Sequence, residues 1–225
     1  MENQSYHHGD LKNALIEAGI RIVHKEGVQQ LSLRKVAAKC GVSHAAPYKH
    51  FKDKESLLEA MQQHITNRFS ALLIKIADKY SGSEDILQKL GSAYFNFFCI
   101  NPHYFHFLFS QMNVPVDLDN ISVASYPPFD IFKNTVINIL QANPSLNELQ
   151  YKKSHGEHGK APFSPKATAK PQSVPNKDIL QNVIAMWAMI HGITAIATMN
   201  GVQYSGKWDI LLNKIMNENF VMQVL

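Results

Sequence analysis

The sequence predicts an all-α fold in two parts, a small helix-turn-helix head followed by a larger helical domain. Apolar side chains recur at intervals of three and four residues in almost every segment. Glycine or Asn-Pro pairs stand where these segments stop, as expected at helix ends. No stretch shows the alternation of apolar and polar residues that is typical of a strand. We therefore expect about nine helices, with residues 1–55 forming the head and residues 56–225 the second domain.

The helical pattern is clearest near the N-terminus. Residues 10–25 place Leu11, Leu15, Ala18 and Ile22 on one face, and Gly27 is expected to end this helix. Residues 54–79 predict a long helix that joins the head to the second domain. Further helices are expected at 84–100, 103–112, 127–141, 178–199 and 207–222.

Residues 32–58 predict two short helices around a sharp turn. Gly41 supplies the turn, and Ser43 is expected to cap the second helix, because its side-chain oxygen can accept from free N–H groups. Tyr48 and Phe51 lie three residues apart, on the second helix or at its end. This is the layout of a helix-turn-helix, in which the second helix enters the major groove of DNA.

This segment resembles the DNA-binding domain of the tetracycline-repressor (TetR) family of bacterial transcription regulators. The residues that match the family pattern are Ser32, Gly41-Val42-Ser43, Tyr48-Lys49-His50-Phe51, Lys54 and Leu57-Leu58. Their order and spacing make the resemblance specific, and it covers about the first quarter of the chain. Pro47 departs from the pattern, and we expect it to alter the start of the second helix slightly.

The charge distribution favours DNA binding over a helix-turn-helix that only packs. Residues 1–54 hold nine Lys or Arg against five Asp or Glu, whereas the rest of the chain holds thirteen of each. The net charge of +4 therefore lies on the head, as a phosphate-binding surface requires. Within the head, the expected core residues are Val36, Ala37, Cys40 and Phe51.

We expect residues 43–50 to enter the major groove of a roughly palindromic, double-stranded DNA operator. Lysine can reach guanine acceptors and a small side chain can touch a thymine methyl, so the expected base contacts are Ser43, His44, Ala45 and Lys49. Residues at helix starts or with a charge are expected to contact phosphates: Ser32, Arg34, Lys35, Tyr48, His50 and Lys54.

The second domain contains a dense aromatic cluster. Eight of the 22 aromatic residues fall between Tyr94 and Phe109. Core packing is the expectation for any one of them, but such a cluster opposite an uncharged helix is also typical of an apolar ligand cavity. We therefore expect a small apolar or aromatic effector to contact Tyr94, Phe97, Phe98, Phe105, His106, Phe109, Met112, Trp187 and His191.

Two further motifs lie in this domain. Trp187-Ala-Met-Ile-His191-Gly192 is similar to the Trp-x-x-x-His-Gly signature of one TetR subgroup, and Asn101-Pro-His-Tyr-Phe105 is similar to the Asn/His-Pro-x-x-Phe that precedes it there. His191 could contact the ligand or be a satisfied core histidine, and both roles stay open. The resemblance implies a ligand-responsive homodimer, with residues 178–200 and 207–222 forming a four-helix bundle across a two-fold axis.

The remaining segments carry fewer signals. Residues 143–177 hold several prolines and lysines but few large apolar side chains, so we expect a long mobile loop. The two cysteines match no metal or redox spacing, which favours a reducing cytoplasm and no cofactor or metal. Residues 179–199 are long enough to cross a bilayer, but their polar residues favour a buried helix and no membrane partner.

Two alternatives to a ligand-responsive repressor remain open. One is an architectural DNA-binding protein without an effector, which the aromatic cluster argues against. The other is a helical-bundle enzyme, but the chain contains no Glu-x-x-His, Gly-x-Ser-x-Gly or His-Glu-x-x-His motif. The sequence therefore predicts a DNA-binding regulator and not an enzyme.

Overall fold

The computed structural model describes residues 8–111, 126–142 and 177–216, and every regular element in these ranges is helical. The prediction of an all-α fold is confirmed. The helices, numbered along the chain, are α1 (His8–Glu26), α2 (Leu33–Cys40), α3 (Lys54–Lys79), α4 (Ile86–Ile100), α5 (Pro102–His106), α6 (Pro127–Ala142), α7 (Lys177–Thr198) and α8 (Trp208–Met216). Short 3-10 turns at Val28–Gln30 and Pro47–Lys49 and a π-helical turn at Phe107–Gln111 complete the described elements.

Helix α1 follows the pattern read from the sequence. Leu15, Ala18 and Ile22 are buried on one face, while Leu11 is half-buried. The helix ends at Gly27, which has a φ of 85° and donates its N–H to the Val23 carbonyl at 2.9 Å. Glycine has no Cβ to clash in this left-handed region, so it ends the helix without strain.

Helix α2 is closed at both ends by the residues expected there. The Ser32 hydroxyl accepts from the Lys35 N–H at 3.2 Å, which satisfies a free donor of the first turn. Gly41 adopts a left-handed conformation with a φ of 68°, and the following Val42 N–H reaches the Ala37 carbonyl at 3.1 Å. These bonds fix the direction in which the chain leaves the helix.

The second helix of the helix-turn-helix is shorter than predicted. The residues after Gly41 form a turn, and between Gly41 and Phe51 the chain has one helical turn, the 3-10 turn Pro47–Lys49. This turn follows Ala46 and has no side-chain cap. The prediction that Ser43 caps this helix is therefore wrong. An α-helix starting at Ser43 would need a bond from residue 47 to the Ser43 carbonyl. Pro47 has no N–H to donate, and the Ala46 N–H takes that carbonyl instead, at 3.0 Å.

Helix α3 spans the predicted residues and begins with a reciprocal cap. The Ser56 N–H donates to Asp53 Oδ1 at 2.8 Å, and the Asp53 N–H donates to the Ser56 hydroxyl at 3.1 Å. Hydrogen bonds from the backbone N–H and the side chain of Ser56 hold the pKa of the Asp53 carboxyl below its usual value. The carboxylate also suits the positive N-terminal end of the helix. The residues that α3 buries fully are Leu57, Met61, Ile65 and Phe69.

The chain divides by its internal contacts into two units. The first consists of Met1–Leu72 together with Asn96–Pro115, so it combines the head with α5 and the end of α4. Its core includes an aromatic group in which the Phe69 ring lies 5.0 Å from that of Phe97 and 4.9 Å from that of Phe98. Phe105 and Phe109 pack against Phe98 with ring centroids 5.4 and 5.8 Å away.

The second unit consists of Leu73–Phe95 and Val116–Leu225. Helix α7 packs against α6 and buries Val183, Met186, Ile190 and Thr194. Leu180–Thr198 is long and apolar enough to cross a membrane, but the core helix of a globular protein can have the same length and composition. The loop predicted for residues 143–177 lies outside the described residues, apart from Lys177, which begins α7.

Candidate functional site

The residues predicted to bind DNA lie at the accessible surface of the head. Seven of them are exposed, namely Ser32, Arg34, Ser43, His44, Ala45, Tyr48 and Lys49, and three are half-buried, namely Lys35, His50 and Lys54. Tyr48 is a large aromatic side chain, yet 54% of it is exposed. An aromatic ring left in solvent beside lysine and histidine is a feature of a contact surface rather than of a core.

Two of these residues also hold the head together. Ser32 caps α2, and the Lys35 ammonium forms an ion pair with Glu26 at the end of α1. The pair is partly exposed, so it contributes little to stability. Its consequence is electrostatic, because Glu26 neutralises part of the charge that Lys35 could offer a phosphate.

The expected core of the head is largely confirmed. Val36 and Ala37 are fully buried, Phe51 is 2% exposed, and Cys40 is half-buried. Pro47 is buried as well, so the residue that shortens the second helix also anchors it. The base-contact candidates therefore sit on a short loop that is fixed at both ends.

Sequence reasoning missed two cations of this surface. Lys39 in the last turn of α2 and Lys52 before α3 are exposed on the same head. The basic stretch between residues 34 and 54 contains both, so their charge alone could have identified them.

In the second unit, three of the predicted ligand residues come together. The Tyr94 hydroxyl lies 2.8 Å from His191 Nδ1, and the Trp187 ring meets Tyr94 edge-on at 5.2 Å. Burial lowers the pKa of His191, and burial with the neighbouring Tyr126 raises that of Tyr94, so both side chains are neutral near pH 7. His191 is thus satisfied by a side chain of the core, the Tyr94 hydroxyl.

The other predicted ligand residues lie in the first unit or outside the described residues. Phe97, Phe98, Phe105 and Phe109 pack on one another around Phe69, as core aromatic residues do. His106 lies beside His24 of α1, with ring centroids 5.3 Å apart. Met112 lies outside the described residues.

The second unit contains an apolar cavity, but its lining differs from the ligand residues predicted from the sequence. The space along its walls is about 300 Å³ and includes open solvent, whereas the part that a molecule can occupy has room for about one water. It is lined by Leu87, Gly91, Phe132, Met186, Met189, Ile190, Ile193, Leu212 and Met216. None of the nine predicted ligand residues is in this lining. Phe132, a residue of the lining, contacts one of the predicted ligand residues, because its ring lies 5.8 Å from that of Trp187.

The lining determines what this cavity can bind. Its side chains are aliphatic, aromatic or thioether groups, and none carries a charge or an amide. Methionine is flexible and polarisable, so a methionine-rich wall adapts to apolar molecules of different shape. The chemistry of the cavity suits an uncharged hydrocarbon-like or aromatic group.

The first unit also contains a half-buried polar network that the sequence did not reveal. One oxygen of Glu17, on α1, accepts from His64 Nε2 at 2.9 Å, from Arg68 Nη1 at 3.1 Å and from the Tyr104 hydroxyl. Burial raises the pKa of Glu17, but these hydrogen bonds and the charges of His64 and Arg68 outweigh it and hold the pKa at about 2. Glu17 therefore stays ionised and links α1, α3 and α5.

Comparison with known proteins assigns the head to a family. Residues 15–61 match the family model described as bacterial regulatory proteins, tetR family, so the N-terminal domain is a TetR-family domain. The chain is 31% identical over 77 residues to the nicotine-responsive transcriptional repressor HdnoR of Paenarthrobacter nicotinovorans, a match covering 34% of this chain and 38% of that protein. It is 39% identical over 54 residues to the transcriptional regulator BetI of Proteus mirabilis, covering 24% of this chain and 27% of BetI. The chain thus spans less than two fifths of these relatives.

Solved structures extend the likeness to the whole fold. A tetR-family regulatory protein from Rhodococcus RHA1 superposes with a TM-score of 0.60 at 15% identity, covering 95% of this chain and 96% of that one. The regulator FadR of Bacillus subtilis, solved in complex with stearoyl-CoA, gives a TM-score of 0.62 at 14% identity, covering 95% and 99%. Both parts of the chain therefore have the fold of these two regulators.

Proposed function

We propose that the protein is a ligand-responsive DNA-binding transcription regulator of the cytoplasm, acting as a repressor released from a palindromic operator by a small effector. The observation that carries the proposal is the exposed, basic surface of a TetR-family domain. Arg34 and Lys49 lie at this surface and the net positive charge of the chain lies on this part of it. Such a surface attracts the phosphate backbone irrespective of sequence, and the residues between 43 and 49 supply the base contacts.

The cavity supports a small apolar or aromatic effector. Its wholly apolar lining suits a small apolar molecule, and its flexible methionine side chains can move to admit one. Two similar proteins, the nicotine-responsive repressor HdnoR and the FadR regulator solved in complex with stearoyl-CoA, are consistent with a fold that takes small molecules. We propose that the effector enters the methionine-lined cavity and displaces Phe132. The contact of Phe132 with Trp187 would then pass this displacement to Trp187 and His191.

The surface of α7 supports a homodimer. Ala185, Ala188, Gly192 and Ile196 follow one another at helical spacing on the side of α7 away from its buried face, and Ile196 is 50% exposed. Small residues allow another helix to approach closely, and exposed apolar surface is costly in water. On α8, Ile210 is 61% exposed. We propose that α7 and α8 pair with their copies in a four-helix bundle across a two-fold axis.

The switch would act through α3. This helix starts beside the recognition loop and continues from the first unit into the second. An effector that binds one arrangement of α3 more tightly would shift the population towards it, and with it the spacing of the two heads. An architectural protein without an effector would show no such coupling.

The effector proposal predicts linked changes in stability and DNA binding. An apolar or aromatic compound that enters the cavity is expected to raise the melting temperature, because it binds the folded state alone. The same compound is expected to weaken operator binding. Both responses should be blunted in Met189→Phe, which fills the cavity, and preserved in Met199→Phe, since Met199 is 56% exposed. Thermal shift and fluorescence anisotropy measure the two responses. Melting shifts without any change in DNA binding would contradict the effector model.

A further inference from the structure

Three histidines meet where α1 contacts α5. The ring of His24, near the end of α1, lies 5.3 Å from that of His106 and 6.3 Å from that of His103. These residues are almost eighty positions apart in the chain, and the packing of the first unit brings them together. At such distances a proton on one ring raises the energy of a proton on the next.

Among the described residues, most of the charged groups that act on His24 and His103 are cations. Arg21 and Lys25 on α1 and Arg68 on α3 each act on one of the rings as positive charges. The π-helical turn after α5 contributes only apolar side chains among those described, Phe107, Leu108 and Phe109. Protonation of the cluster would therefore add positive charge to a site that already holds three cations.

The carboxylates near the cluster are committed to other partners. Glu17 acts favourably on a protonated His103, but its oxygens also serve His64, Arg68, Arg21 and the Tyr104 hydroxyl. Glu26, the other carboxylate in the second half of α1, is paired with Lys35.

The titration of the cluster follows from these surroundings. Burial lowers the pKa of His24, and His106 and Lys25 lower it further. Burial also lowers the pKa of His103; Glu17 opposes this, and His24 and the two arginines add to it. Since the unfolded chain takes up these protons near pH 6.5, the stability that neutral rings contribute is present above that pH. It is lost as the pH falls through the lower folded values.

We propose that the contact between α1 and α5 is a pH-dependent joint, which is closed near neutral pH and opens in acid. In acid, the charged rings of His24 and His103 repel each other and the neighbouring cations, and α1 separates from α5. Because α1 is the first helix of the head, its release changes operator affinity. This last consequence rests on the proposed function, whereas the joint itself does not.

The test compares the full chain with the triple variant His24→Gln, His103→Gln, His106→Gln, in the presence of a metal chelator. Between about pH 7.5 and 5.5 the melting temperature of the wild type is expected to fall by roughly 3 °C more than that of the variant. His24→Gln alone, at an exposed position, should remove part of this difference. His44→Gln, exposed on the head, should retain it. Hydrogen exchange, corrected for its intrinsic pH dependence, should rise in α1 and α5 of the wild type only.

The possible outcomes separate the joint from the proposed function. An equal loss of stability in the wild type and the triple variant would overturn the joint. A pH-dependent loss of stability that appears only without the chelator would also overturn the joint, since it would show that the histidine cluster binds a metal ion. Operator affinity that changes identically with pH in both proteins would overturn the regulatory link. A joint that responds to acid in a chain that binds no operator at any pH would support the joint and contradict the proposed function.

Discussion

Replacing Gly192 with glutamate is expected to convert the protein to a monomer and to weaken operator binding about a hundredfold or more. A Cβ added at Gly192 meets no atom of the protomer within 4 Å, so the fold has room for the new side chain. The glutamate would instead place a charge in the proposed helix pairing, where it finds no water and no partner. Two linked heads gain their affinity by acting together, and a monomer loses this gain. Light scattering and fluorescence anisotropy measure the two effects.

A matched control keeps this result specific. Asn134→Glu adds the same charge at an exposed position of α6 and is expected to leave both the dimer and operator binding unchanged. The melting temperature of each variant reports on the protomer. A Gly192→Glu protein that remains dimeric at micromolar concentration would reject the proposed interface, as would a wild-type protein that is monomeric there.

Removing cations from the head is expected to separate two kinds of DNA contact. Arg34→Ala should lower affinity for all sequences and flatten the dependence of log affinity on log salt by about 0.9, because one fewer counterion is released. Lys49→Ala should cost about 1–3 kcal/mol on the operator and relax the base preference at its position. Titrations at several salt concentrations, on operator and on unrelated DNA, measure both.

Lys75 provides the control for this experiment. It is exposed on α3 beyond the head, so Lys75→Ala removes the same charge from the chain without touching the proposed interface. Its salt dependence should equal that of the wild type. If Arg34→Ala and Lys75→Ala behave alike, the head surface described above does not contact the phosphates.

Local patterns determined most of the fold. The bounds of α3 follow from apolar residues at helical spacing and were predicted to the residue, and Gly27 ends α1 through its own conformation. The second helix of the helix-turn-helix was predicted too long, because the effect of Pro47 on the bond to Ser43 outweighs the capping tendency of the serine. The capping propensity of Ser43 is thus overridden, because the missing N–H of Pro47 determines where the helix can begin.

The polar network and the lining of the cavity could not be predicted from the sequence. Glu17 meets His64 and Tyr104, which lie 47 and 87 positions further along the chain, and no periodicity connects them. The cavity depends on how closely distant side chains pack, such as Met216 beside Gly91. The aromatic residues between Tyr94 and Phe109 are expected from the sequence to contact an effector, but the sequence does not reveal that most of them fill space by packing on one another.

The most direct test of a ligand-responsive DNA-binding regulator is selection of random double-stranded DNA by the full-length protein, followed by anisotropy on the recovered sequence. The account predicts a palindromic site whose half-sites are spaced by about one helical turn or a multiple of it. It also predicts that affinity falls steeply with salt and changes when an apolar compound that raises the melting temperature is added. Recovery of no preferred sequence, with binding that is weak and independent of salt, would contradict it.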